Sequence, residues 1–192
     1  MVFFVACDKD DMEYETDYER SYKTWQSFKK SSNNSYQYVV SGYTWTGTFW
    51  ETKLTIQNGE VTERAFHFKN FDMILMPPNG WDLSSAQQVI DTLIAHGTYS
   101  AGAVTAEEFL KTLSWTESKQ ELNNNTNTPA AKVLTLDEVY NIAKNDWLRK
   151  RDNAQSSFEA KNNGIISSCG YWEDGCMDDC FRGISISSIE AL

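Results

Sequence analysis

Tyr18, Tyr22, Trp25 and Phe28 recur at three- and four-residue intervals with polar residues between them. That spacing predicts an amphipathic helix over about residues 13–30. Ser31, Ser32, Asn33 and Asn34 end it. Residues 35–45, rich in Tyr, Val and Trp, read as a strand, and a second strand follows over about 48–57. In the second, Trp50, Thr52, Leu54 and Ile56 alternate onto one face. Asn58-Gly59 is a hairpin signal, because both residue types tolerate positive φ. A two-residue turn there sets Ile56 opposite Val61, with the return strand over about 60–69.

The middle is less regular. Met76-Pro77-Pro78-Asn79-Gly80 must be a loop, since two prolines end a strand ladder. Ser84-x-x-Gln87 and Thr105-x-x-Glu108 read as capping boxes opening two helices. The first carries Val89, Ile90, Leu93 and Ile94 and stops at Gly97; the second carries Phe109, Leu110 and Leu113. Residues 117–127 are polar and Asn-rich without periodicity, which predicts a flexible excursion. Thr135-x-x-Glu138 opens a third helix with Val139, Tyr140, Ile142, Ala143 and Trp147 as its apolar stripe. Two closing strands are expected, about 155–172 with an irregularity at Asn162-Asn163-Gly164, and 180–190. This order predicts an α+β fold: an antiparallel sheet of about five strands with helices packed on one face. Such a sheet can leave its other face wet, and a wet face bearing aromatic side chains is a natural interaction surface.

A chain with 41% apolar residues builds a core, so a disordered polymer is excluded. The formal charge of −10 argues against nucleic acid, which is bound through clustered cations. The one dense basic run, Arg149-Lys150-Arg151, falls where a helix should end and complements its dipole.

At the N-terminus an apolar run, Met1 to Ala6, meets Cys7 and turns acidic. The pattern looks like the end of a lipoprotein signal peptide, with Cys7 the residue that is acylated, for example by palmitate. Six residues are too few for a whole signal, so 1–6 read as a remnant and 7–14 as an acidic tether, followed by a single domain over 15–192. Lys9-Asp10-Asp11 resembles the signal that directs Bacteroidetes-type lipoproteins to the surface of the outer membrane.

Cys169, Cys176 and Cys180 lie within twelve residues, which in an oxidising compartment predicts a disulfide-bearing hairpin. Centring the turn on Asp174-Gly175 places Cys169 opposite Cys180, with Cys176–Cys180 the competing pair and one thiol left over. The spacing lacks the paired motifs of zinc sites, and Asp174, Asp178 and Asp179 do not follow the EF-hand order for calcium. No metal or other cofactor is expected. Of the two histidines, His96 precedes Gly97 at a helix end and His67 is expected to face solvent between Phe66 and Phe68. No nucleophile elbow or phosphate loop is present, so no catalytic residue is assigned. Trp25 and Trp147 read as core, whereas Trp45, Trp50, Trp81, Trp115 and Trp172 are candidates for partial exposure and for stacking on a sugar.

Three segments resemble a family of bacterial lipoproteins built on a domain of unknown function. They are Trp25 leading to Ser35-Tyr36-Gln37-Tyr38, the hairpin from Leu54 to Val61, and the stretch from Thr135 through Gly164 to Ile186. The family shows Gly-Tyr-Pro where this chain has Gly164-Ile165-Ile166. The resemblance makes about 70–130 an insertion and carries over no catalytic residue. Together these readings predict a monomeric outer-membrane lipoprotein of the cell envelope, held by lipid and binding a protein, peptide or glycan. The alternatives are a carboxylate-dependent hydrolase and a structural envelope component.

Overall fold

The computed structural model describes residues 12–178 and 180–192. Cys7 and Lys9-Asp10-Asp11 lie outside the described residues. In chain order the first elements are α1 (Glu15–Ser31), β1 (Tyr36–Tyr43), β2 (Phe49–Gln57), β3 (Glu60–Phe71), β4 (Ile74–Leu75), α2 (Leu83–Ala95) and α3 (Ala106–Leu113). There follow β5 (Ser114–Ser118), α4 (Leu136–Ile142), a π-helical turn (Ala143–Trp147), β6 (Ala154–Glu159), β7 (Ser168–Glu173) and β8 (Arg182–Ala191). The fold is α+β, with every strand pairing antiparallel. The expectation of about five strands is corrected to eight among the described residues. The chain divides into two compact units, one of Leu136–Ser185 with the described part of Met1–Ser31, the other of Ser32–Thr135 with Ile186–Leu192.

In the second unit the strands run β4-β3-β2-β1-β8, and β5 pairs with β3. Asn58 and Gly59 both take positive φ, +51° and +85°, and Ile56 faces Val61 as the two-residue turn requires. Tyr36, Tyr38, Thr52, Leu54 and Ile56 are buried. Phe66 and Phe68 of β3 form a core with Val89, Ile90 and Leu93 of α2 and Phe109 and Leu113 of α3. Each such side chain contributes about 1.5–3 kcal/mol by leaving water. Trp81, expected to be partly exposed, belongs to this core, and its indole N–H donates to the Phe68 carbonyl at 2.6 Å.

The α3 box is present as read, Thr105 and Glu108 capping each other. The α2 box lies two residues earlier than expected: Asp82 caps Ser85, and Ser84 and Gln87 are inside the helix. An aspartate accepts as well as a serine does at an N-cap, so both registers satisfied the pattern. The region expected to be a flexible excursion begins with strand β5 and the buried Glu117, whose carboxylate accepts the Asn123 and Asn125 backbone N–H groups.

In the first unit Tyr18, Ser21 and Trp25 turn inward from α1. The Ser21 and Tyr140 hydroxyls lie 2.6 Å apart, and the Ile166 N–H donates to the Tyr140 oxygen at 3.1 Å. The π-turn adds a residue to the helical repeat, so Leu148 is fully buried and Trp147 only half-buried, against the expectation for Trp147. Arg151 donates to the Trp147 and Asp146 carbonyls at 3.5 and 2.9 Å, the helix-end role read from the sequence. The single strand expected over 155–172 is two strands, β6 and β7, joined by a turn in which Asn163 and Gly164 have positive φ.

β8 pairs with β7 through residues 182–185 and with β1 through 186–191. Val39 faces Ser188 and Val40 faces Ile186, so Ser187 is an extra, bulged residue. The bulge moves the inward phase by one, which is why Ile184, Ile186 and Ile189 alternate imperfectly.

Candidate functional site

Cross-strand partners share a face of a sheet. In the second unit that rule places Tyr43, Phe49, Asn70 and Leu75 in one transverse row across β1, β2, β3 and β4. At about 4.8 Å between strands the row is roughly 14 Å long. Phe66, Phe68, Thr52 and Leu54 occupy the opposite face and are buried. Tyr43 is 74% exposed and Leu75 is exposed as well.

The β1–β2 turn extends the row. Trp45, at its tip, is 72% exposed. The tip is held in one shape: the Thr44 N–H donates to the Thr48 carbonyl at 2.9 Å, and the Gly47 N–H to the Thr44 carbonyl at 3.0 Å. From β3 the Asn70 amide donates to the Gly47 carbonyl at 2.9 Å. On the other face the Trp50 ring lies over Gly42, where an added Cβ would come within 2.5 Å of it. The glycine therefore lets the ring lie flat on the strand that carries Tyr43.

At the far end Asp72 and Met73 form the turn between β3 and β4 with φ of +47° and +65°. Neither is a glycine, and each left-handed residue of this kind costs about 1–2 kcal/mol. Met73 is 86% exposed, so neither the backbone nor the side chain gains from burial. The turn thus combines left-handed backbone with an exposed apolar side chain.

The neighbouring row on the same face is polar: Ser41, Glu51, His67 and Ser114. His67 was expected to face solvent; it is half-buried, with Nε2 3.4 Å from Glu51 Oε2. Burial depresses its pKa, Glu51 opposes the shift, and Lys69 and Lys53 reinforce it, so the imidazole is neutral near pH 7. Lys69 Nζ stands 3.8 Å from the same Glu51 oxygen. The other histidine, His96, sits at the end of α2 and pairs with Asp72 at 3.4 Å.

Of the two pairings left open, the cysteines form the second. Cys176 is bonded to Cys180, and Cys169 is a buried free thiol. Cys169 faces Ile184 and Tyr171 faces Arg182, so the β7–β8 hairpin centres two residues later than Asp174-Gly175. Burial pushes the Cys169 thiol up to about 12, which leaves it protonated and unreactive. Among the described residues no three His, Cys, Asp or Glu side chains come together as a metal site, and no helix is long and apolar enough to cross a membrane.

Of the tryptophans expected to be partly exposed, Trp45 and Trp172 are exposed, Trp50 and Trp115 are half-buried, and Trp81 is buried. The exposure of Tyr43 was missed. Its signal was phase: Tyr36 and Tyr38 point inward at even positions, and Tyr43 is odd. Comparison with known protein families, characterised proteins and solved structures gives no match.

Proposed function

We propose that the chain is a lipid-anchored cell-envelope protein whose second unit binds a polypeptide or a glycan without chemical change. The observation that carries this reading is the fixed β1–β2 tip, which holds Tyr43 and Trp45 about three-quarters exposed. Ordering exposed rings before contact removes an entropic cost from binding, and Tyr, Trp and Met are the side chains enriched where proteins meet. The test is a glycan array and an envelope-extract pull-down with the wild-type chain and with Tyr43→Ala and Trp45→Ala. Specific capture that both substitutions abolish supports the site; capture that survives both overturns it.

The anchor rests on Cys7, at the end of an apolar run and before an acidic tether. Fatty-acid labelling of the full precursor should tag the chain, and Cys7→Ala should remove the tag. A label that persists in Cys7→Ala overturns lipidation there.

A hydrolase is the second reading, favoured by one observation: the Glu51 carboxylate beside the neutral His67 imidazole, one row from the rings. A base of this kind needs a substrate bond within about 3 Å of it. Hydrolysis of an envelope glycan or peptide by the wild type, lost in Glu51→Gln, would establish it in place of simple binding.

A further inference from the structure

Ser21 and Tyr140 form a hydroxyl pair with one hydrogen to spare. Ser21 is 1% exposed and Tyr140 is wholly buried. Their oxygens lie 2.6 Å apart, and the Ile166 N–H also donates to the Tyr140 oxygen. One hydroxyl therefore donates to the other, and the remaining hydroxyl hydrogen finds no acceptor among the described residues. Two other hydroxyls of α1 avoid this, since Thr24 and Ser27 donate to the carbonyls four residues back. A buried donor without an acceptor destabilises a fold, so its presence calls for a reason.

The reason lies beside it. A cavity of about 220 Å³ within the first unit is lined by Ser21 and not by Tyr140. Asp17, Arg20 and Thr24 reach the same cavity, because three- and four-residue spacing puts them on one face of α1. Phe158 of β6 and Gly164 of the β6–β7 turn line the cavity as well. An acceptor placed inside fixes the direction of the pair. Tyr140 then donates to Ser21, and Ser21 donates into the cavity.

The lining selects a chemistry. Its two charges cancel, since Arg20 Nη1 bonds Asp17 Oδ1 at 3.1 Å with both side chains largely exposed. A neutral pair favours neither an anion nor a cation. It still offers guanidinium donors and carboxylate lone pairs, while Thr24 has given up its hydrogen and can only accept. Hydroxyl groups, which both donate and accept, match such a mixed set. Phe158 supplies an apolar wall for the carbon-bound hydrogens of a ring. The volume equals about seven waters at roughly 30 Å³ each, room for one sugar ring and not for a peptide.

We propose that this cavity binds a neutral hydroxylated ring, a free monosaccharide or the terminal residue of a glycan, with Ser21 as the donor at its floor. The site is separate from the Tyr43–Trp45 tip and does not depend on it. The test titrates the isotopically labelled full-length chain with neutral hexoses, their methyl glycosides, acetate and glycine, followed by amide NMR. A hexose should move the Ile166 amide, which reports on the Tyr140 oxygen, with a dissociation constant on the order of a millimolar. Binding of the hexose alone identifies a free sugar, and binding of its glycoside too identifies a glycan terminus; either supports the site. Ser21→Ala and, at the exposed rim, Arg20→Ala should each weaken binding by about tenfold. Lys23→Ala, outside the cavity, should not, and circular dichroism checks that each variant is folded. An Ile166 amide that no hexose moves overturns the proposal. So does binding of acetate or glycine in place of sugars, or hexose binding unchanged in Arg20→Ala.

Discussion

Arg64 holds one oxygen of Glu117 with two nitrogens, Nε at 2.9 Å and Nη2 at 2.8 Å from Oε2, both side chains almost wholly buried. The other oxygen accepts the backbone and side-chain N–H groups of Asn125 at 2.6 and 3.0 Å. Arg64 also donates to the Ala131 and Asn125 carbonyls and stands 4.9 Å from the centre of the Trp115 ring. The pair thereby ties the segment after β5 to the sheet. Glu117→Ala should cost about 3–5 kcal/mol in urea unfolding, because it leaves a guanidinium buried without its partner. Arg64→Ala should cost a similar amount, and the double variant clearly less than the sum.

Acid should release the same segment. Burial alone would raise the Glu117 pKa, but the hydrogen bonds from Asn125 and Asn123 and the Arg64 charge outweigh it and hold the carboxyl below its ordinary value. A depressed pKa means that the folded state favours the charged form. The stability is therefore complete above the unfolded value, about 4.3, and is lost as pH falls through the folded one. Urea midpoints measured from pH 6 down to pH 3 should drop more steeply for the wild type than for Glu117→Gln.

Tyr140 makes the opposite prediction at high pH. Burial raises its hydroxyl to about 12, partly offset by the bonds from Ser21 and Ile166. The folded state thus prefers the protonated phenol, so its contribution is intact below pH 10 and disappears as pH rises through the folded value. Tyr140→Phe strips the Ile166 N–H and the Ser21 hydroxyl of a partner and should cost about 1–3 kcal/mol at neutral pH. The variant should also lose part of the alkaline destabilisation seen by fluorescence.

The thiols can be read chemically. Non-reducing peptide mapping should recover Cys176 joined to Cys180, with Cys169 alone. Iodoacetamide should leave Cys169 unmodified in native protein and alkylate it promptly in 6 M guanidinium, since the reactive thiolate is absent at a buried thiol. A Cys169–Cys180 peptide would refute the observed pairing.

What the sequence made legible was local geometry. The α1 helix, the Asn58-Gly59 turn and the Thr105 box each depend on residues a few positions apart, and each is present, although of the α1 stripe Tyr18 and Trp25 are buried and Tyr22 is exposed. Pairing at a distance was harder. β4 has two residues and β5 five, too short for periodicity to register, and β5 exists because Trp115 and Glu117 find Phe66 and Arg64 across the ladder. The π-turn and the Ser187 bulge each shift a repeat by one residue, and a hydrophobic pattern reads such a shift as noise. The candidate site was half visible: Trp45 stood out by type, but Leu75 joins Tyr43 only through the register of three strand pairs. The choice between the two cysteine pairings was illegible for a related reason, since a turn centred two residues later takes Cys169 away from Cys180.

The long separation in sequence between β1 and β8 has a consequence for synthesis. Ser21 and Tyr140 are 119 residues apart, so α1 emerges long before the residues that bury it. β1 waits longer, because Tyr36 pairs with Ala191 and Val40 with Ile186. At about 5–20 residues per second that interval is on the order of ten seconds or more. Throughout it one edge of β1 offers unpaired backbone groups to any neighbouring nascent chain. A ribosome that stops before residue 186 therefore yields a chain whose β1 edge stays open, and residues 186–191 act as the seal.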